Sequence, residues 1–171
     1  MRLIIRLIMG IMDGGITKEI KPLEDGKFIL KMNKVYGVMG ILSCIMALFF
    51  IVIGVITGGL FGKDSIYVLI IFALFFLIGL FLVLYSYNTK VEVNSEKLIY
   101  RGFTGKIKEI QWNQVENISF NVTSRELILK SNNIKVKLPI HLKGMGSLIN
   151  IIKKKVKFSI YEQAFEKMGV Y

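Results

Sequence analysis

The chain holds one cysteine, two prolines, one histidine and one tryptophan in 171 residues. A single thiol excludes an intrachain disulfide and a cysteine-based zinc cluster, so a disulfide-stapled secreted scaffold is not available to it. With two prolines it is neither collagen-like nor a proline-rich spacer. No glycine-rich phosphate loop, Ser-His-Asp set or metal-ligand spacing occurs in it, so the sequence carries no enzyme reading and implies no cofactor or metal. Acidic residues are few, 12 against 23 Lys plus Arg. The basic residues are not interleaved with aromatic residues for base stacking, which argues against a nucleic-acid partner.

What the chain has instead is apolar surface. Hydrophobic residues make up 53% of it, charged residues only 20%, and the mean hydropathy is +0.56. Such a chain is too apolar for disorder and too apolar for an ordinary soluble domain. The excess is concentrated in two uncharged runs, Val35 to Thr57 and Ile66 to Tyr87. As helices they extend roughly 34 Å each, enough to cross a hydrocarbon core of about 30 Å with some tilt. Read as core helices, they would need a surrounding domain large enough to cover them, and the rest of the chain is too small and too charged. Between them, residues 58–65 contain Gly58, Gly59 and Gly62, which disfavour helix continuation and permit a tight reversal. The two runs therefore read as a transmembrane hairpin, with Tyr36, Tyr67, Tyr85 and Tyr87 suited to the interfaces.

Cation counts set the orientation. Lys18, Lys21, Lys27, Lys31 and Lys34 precede the first span, Lys90, Lys97 and Arg101 follow the second, and the loop has Lys63 balanced by Asp64. Both termini are expected on the cytoplasmic side of the cell (inner) membrane, in a multi-pass arrangement. Met1 to Met12 is an apolar segment with Arg2 and Arg6, too short to span. Two readings stand for it: an interfacial amphipathic helix, or residues upstream of a start at Met9 or Met12. The remainder of residues 1–34 reads as a cytoplasmic lead-in with a weakly extended stretch at Phe28-Ile29-Leu30.

After Tyr87 the pattern changes to alternation, the mark of strands with one buried face. Strands are expected at Lys90 to Asn94, Lys97 to Phe103, Lys106 to Trp112, Gln114 to Val122, Glu126 to Lys130 and Ile134 to Ile140. The fourth has a change of parity that predicts a bulge or a bend. Turns this close together exclude the long crossovers of a parallel sheet. Leu148, Ile151, Ile152, Lys155 and Val156 recur at helical spacing, predicting a helix over residues 147–156. Ser159 and Glu162 have capping-box spacing for a further helical turn, with Gly169 as its end.

The run Lys90-Val91-Glu92-Val93-Asn94, then Leu98 through Lys106, then Glu109 through Val115 and the final helix resembles bacterial two-span membrane proteins with a C-terminal pleckstrin-homology-like (PH-like) domain, a family of unknown function. The likeness covers roughly residues 89–169. It implies a seven-stranded, strongly bent sheet capped by a helix, and it carries over no ligand motif. The expected fold class is thus membrane α + β: a two-helix transmembrane hairpin followed by an antiparallel PH-like β-barrel or sandwich capped by a C-terminal helix. The expected boundaries are 1–34 lead-in, 35–57 first span, 58–65 extracytoplasmic loop, 66–87 second span and 89–171 cytoplasmic domain.

Individual residues have competing readings. Trp112, at the parity of Ile110, is expected as a core anchor rather than a ligand contact. His141 reads as a loop residue, and Cys44 as a small membrane-facing one. Gly54, Gly58 and Gly62 are spaced by four, the small-xxx-small pattern of close helix approach, with Gly54 and Gly58 as the candidate packing positions. Residues 89–171 hold 15 Lys plus Arg against 7 Asp plus Glu. Their densest cluster is Lys153, Lys154, Lys155 and Lys157. With Lys106 and Lys108 of a hairpin, these are the candidate contacts for anionic lipid headgroups or a partner. The competing reading is that cytoplasmic cations only fix topology and solubility. The functional expectation is a non-enzymatic interaction or assembly platform at the cytoplasmic face, with the lipid bilayer, anionic headgroups, and another membrane protein or a second copy as candidate partners. The alternative is an accessory subunit or regulator of a membrane transport or envelope-stress system, acting through its hairpin.

Overall fold

The computed structural model describes residues 19–23, 26–58, 62 and 65–170. Met1 to Met12 and Gly59, Lys63 and Asp64 of the loop lie outside the described residues, with the readings attached to them. The chain divides into two compact units, residues 34–88 and the pieces on either side of them taken together.

The first unit is a pair of antiparallel-connected helices, α1 (Lys34–Ile56) and α2 (Ser65–Asn88). Both are long and apolar enough to cross a membrane. Their buried residues are all small: Gly37, Gly40 and Ala47 in α1, Ser65 and Gly79 in α2. The large side chains point outward, as with Leu42, Phe49, Leu74 and Phe75, each more than half exposed. A pair of soluble core helices would bury those residues.

The non-exposed positions of α1 include a series spaced three and four apart, Gly37, Gly40, Cys44, Ala47, Ile51 and Gly54, with Ser43 beside it. Those of α2 include a series of the same rhythm, Ser65, Leu69, Phe72, Phe76, Gly79, Val83 and Ser86, with Leu82 and Tyr85 beside it. This is the spacing of helices that pack along a single seam. At its closest point a Cβ on Gly40 would lie 2.6 Å from the Gly79 carbonyl oxygen, and one on Gly79 would lie 2.7 Å from that of Gly40. The Ser43 hydroxyl donates to the Phe75 carbonyl at 3.0 Å and the Cys44 thiol to that of Phe76 at 3.6 Å. Cys44 is therefore a seam residue, not a membrane-facing one.

The second unit is built from antiparallel strands. A five-stranded sheet has the order β4 (Ile107–Gln111), β3 (Lys97–Arg101), β2 (Lys90–Val93), β1 (Phe28–Met32), β8 (Leu142–Lys143). A three-stranded sheet has the order β5 (Asn117–Asn121), β6 (Glu126–Ser131), β7 (Ile134–Pro139). Of the two expected forms, barrel or sandwich, the closed barrel is not formed: the strands make two open sheets. The lead-in is not separate from them: its Phe28-Ile29-Leu30 stretch is strand β1, which pairs with β2 on one side and β8 on the other. Leu30 is fully buried and Met32 nearly so.

The parity change before β5 is the bend and not the bulge. A 3₁₀ turn, Trp112–Gln114, carries the chain out of the first sheet, and β5 begins the second. Tight reversals match their residues: Gly105 has φ +78 in the β3–β4 turn, and Asn132 has φ +47 in the two-residue β6–β7 turn, both left-handed values that Gly and Asn tolerate.

Two helices close the chain. The first, α3 (Met145–Lys155), buries Leu148, Ile149 and Ile152. The second, α4 (Phe158–Met168), is a full helix that packs on β5 through a face including Tyr161, Ala164 and Phe165. Its N-cap is Lys157, with no side-chain cap bond, so the capping box expected at Ser159 does not form. Its end is as expected: Gly169 has φ +69, its N–H bonds the Glu166 carbonyl, and Val170 N–H bonds that of Phe165, the closing pattern of a left-handed cap.

Candidate interaction surface

The candidate surface is organised by the turn between β2 and β3. Asn94 Oδ1 accepts the backbone N–H groups of Glu96 at 2.9 Å and Lys97 at 2.7 Å, a local bonding habit of Asn that fixes a turn. Trp112 clamps the same turn: its indole Nε1 donates to the Asn94 carbonyl at 2.9 Å and its backbone N–H to that of Glu96 at 3.0 Å. The indole is buried and both its donors are satisfied, so it is the core anchor that parity indicates.

Beside this turn lies an open groove of about 470 Å³. Ser95, Glu96 and Lys97 of the turn, Glu109 and Gln111 of β4, and Lys155 of α3 are among its lining residues. Lys97 and Glu109 neutralise each other at 2.9 Å. A smaller recess of about 160 Å³ adjoins it, sharing Ser95 and Lys155 and adding Lys154, Ile151 and Phe28. The groove offers hydrogen bonds and charges of both signs in a solvated setting, which suits polar recognition.

The six candidate cations do not form one patch. Lys154 and Lys155 line the recess by the β2–β3 turn. Lys153 is placed with its ammonium 5.9 Å from the centre of the Phe165 ring, within cation–π range. Lys157 is exposed at the start of α4. Lys108 donates to the Lys135 carbonyl at 2.7 Å, linking β4 to β7. Lys106 is exposed in the β3–β4 turn, at the opposite end of β3 from the β2–β3 turn. Of the candidate glycines, Gly54 lies on the seam of α1, while Gly58 is beyond its end with φ +70. His141 occupies the short turn between β7 and β8. Among the described residues no three His, Cys, Asp or Glu side chains gather as metal ligands do.

Two features were not read from the sequence. The lead-in is fastened to the start of α3: Ile20 N–H donates to the Ser147 hydroxyl at 2.9 Å, that hydroxyl donates to the Ile20 carbonyl at 3.3 Å, and the Asn150 amide bonds Glu19 at 2.6 Å. Gly144 makes room for it, since a Cβ there would sit 2.6 Å from Ile20 Cδ1. Tyr100, half-buried on β3, has its phenol pushed above the ordinary value of 10.0, first by desolvation and then by the negative charge of Glu126.

A family model matches residues 18–166, from the lead-in through the hairpin and sheets into α4. The chain belongs to DUF6585, a family of unknown function. The DUF6585 match treats the lead-in, the hairpin and both sheets as one unit, wider than the residues 89–169 on which the PH-like resemblance rests. No curated protein and no solved structure matches the chain.

Proposed function

We propose that this DUF6585 protein is a non-enzymatic, multi-pass cell-membrane protein with both termini cytoplasmic. Its hairpin holds a basic, PH-like sheet domain at the membrane surface, where the domain serves as an interaction or assembly platform. The PH-like reading draws support from two antiparallel sheets followed by a helix packed on β5. The membrane reading draws support from helices whose only buried residues are small ones.

The observation that carries the proposal is the pairing of β1 with β2. Those strands are joined through the hairpin, so a chain that leaves the sheet at Met32 must return beside it at Lys90. A membrane crossed in between has to be crossed twice, with both flanks on one side. The cation excess on those flanks supports the cytoplasm as that side.

Protease added to intact cells should leave the segment after Asn88 whole, and protease added to inverted membranes should remove it. Cleavage in intact cells overturns the orientation, and release of the chain by alkaline carbonate overturns the insertion.

A specific observation favours the hairpin as a second contact surface. Ser43, Met46, Ala47, Phe50, Phe72 and Phe75 line an apolar notch of about 330 Å³ between α1 and α2, shaped to take a side chain of a neighbouring helix. This is the reading of an accessory subunit or regulator of a transport or envelope-stress system. If Lys154→Glu with Lys155→Glu releases a co-purifying protein in mild detergent, the platform reading gains; if only Ala47→Phe in the notch releases it, the hairpin reading does.

A further inference from the structure

The register of the five-stranded sheet places four cations in one line. Lys143 is opposite Lys31, Lys31 opposite Lys90, and Lys90 opposite Arg101, on β8, β1, β2 and β3 in turn. Directly opposed residues share a face and stand about 5 Å apart, so the row runs roughly 15 Å across the sheet. All four are exposed, while Leu30, Met32, Val91 and Leu142 alternate with them and are buried. Sequence spacing hides the row, because its members are 11 to 112 positions apart on four strands joined out of order.

We infer that this row, Lys143, Lys31, Lys90 and Arg101, binds the phosphates of anionic lipid headgroups. The inference rests on the membrane reading above and adds the site and its ligand class. Three observations carry it. First, each neighbouring pair is like-charged, an arrangement that destabilises a sheet unless something of opposite charge answers it. Among the described residues none of the four forms an ion pair. The nearest carboxylates on that face are Glu92 and Glu109, one row along, and Glu109 is engaged by Lys97.

Second, two members of the row lie within three residues of the apolar helices along the chain. Lys31 is three residues before Lys34, where α1 begins, and Lys90 two after Asn88, where α2 ends. Those paths reach at most about 11 Å and 7 Å, close to a Debye length of about 8 Å at physiological ionic strength.

Third, the rim beyond the row is amphipathic. The β3–β4 turn at this end of the sheet carries Lys106, and it exposes Phe103 (42%) beside Ile107 (59%) at the start of β4. That combination of cations and exposed apolar residues suits a headgroup interface. The Lys154 and Lys155 recess lies at the other end, by the β2–β3 turn.

A cation near an anionic leaflet contributes about a fivefold gain in binding. The test uses the full chain in neutral detergent, titrated with phosphatidylglycerol or phosphatidylcholine, with bound lipid counted by native mass spectrometry. The chain should prefer phosphatidylglycerol. The quadruple variant Lys31→Gln, Lys90→Gln, Arg101→Gln, Lys143→Gln should lose about tenfold or more of that preference. The charge-matched variant Lys153→Gln, Lys154→Gln, Lys155→Gln, Lys157→Gln should retain it.

Replacing Lys31, Lys90 and Lys143 by Arg keeps the charge and should keep the preference. The four positions are exposed, so the Gln variant should melt at or above the temperature of the native chain. Equal loss in both Gln variants would reduce the row to net charge and overturn the inference. So would loss in the Arg variant, no headgroup preference in the native chain, or displacement by equimolar inorganic phosphate. Release by alkaline carbonate would instead strike the membrane reading itself.

Discussion

At the scale of single residues, two polar groups show what the sheet domain demands. Trp112 enters the core with its indole N–H and backbone N–H both bonded to the β2–β3 turn. Thr89 enters with its hydroxyl unpartnered among the described residues, although the residue is fully buried. A buried hydroxyl without a bond costs about 1–3 kcal/mol, and an isosteric apolar replacement removes the cost without leaving a cavity. Thr89→Val should therefore stabilise the chain by about 1 kcal/mol, read as a higher midpoint of thermal unfolding in neutral detergent. A lower midpoint would mean that the hydroxyl is bonded after all. The burial of Trp112 is legible from its parity with Ile110. Its partner is not, because Asn94 lies 18 positions away in sequence, and only the fold brings the turn under the indole.

At the scale of elements, the two long apolar helices are legible because hydropathy is a property of composition, and they run over Lys34–Ile56 and Ser65–Asn88. Their seam is harder to read, since helices apolar on every side give no contrast between faces. The contrast that exists is one of size, with Gly37, Gly40, Cys44 and Ala47 at steps of three and four. A search for glycines four apart stops at Gly54 and Gly58 instead and reaches one seam position and one turn. Gly79→Leu would put a branched side chain where even a Cβ lies 2.7 Å from the Gly40 carbonyl. It should destabilise the hairpin by about 2 kcal/mol or more. Leu77→Ile, on an outward position that is 58% exposed, should be near neutral. Thermal unfolding of the full chain in detergent compares them, and equal midpoints would remove Gly79 from the closest approach. In the sheets, period-two patterning locates strands well where one face is buried. It misreads the passage from β4 to β5, where the change of parity marks a change of sheet. The Ser159 capping box fails for a related reason: the spacing is present, but the N-cap of α4 falls two residues earlier, at Lys157.

At the scale of the whole molecule, the hairpin is an insertion in a β-domain rather than a stalk in front of one. The sequence conceals this because β1 is five residues in a polar lead-in, and its partners come after two apolar runs. The consequence is testable without a membrane. Lys31 and Lys90 are opposed on antiparallel neighbours, so Met32 and Thr89 stand where a two-residue hairpin turn would join them. Replacing residues 33–88 by Asn-Gly, the pair that a type I′ turn prefers, should give a soluble, cooperatively folding sheet domain. The fragment 89–171 alone should not fold, because β1 sits between β2 and β8 and contributes the buried Leu30 and Met32. Losing two large core side chains costs about 2–5 kcal/mol each, of the order of a small domain's whole stability. Size-exclusion chromatography and amide dispersion in NMR spectra would distinguish a folded monomer from an aggregate. A synthetic peptide of residues 19–32, added to the fragment, should restore the folded spectrum by supplying both β1 and the Ile20 contact with Ser147. If the fragment folds equally well unaided, β1 is dispensable and the domain is no insertion host. If the Asn-Gly chain fails while the peptide complex folds, the strand is required but the tight turn does not fit its register.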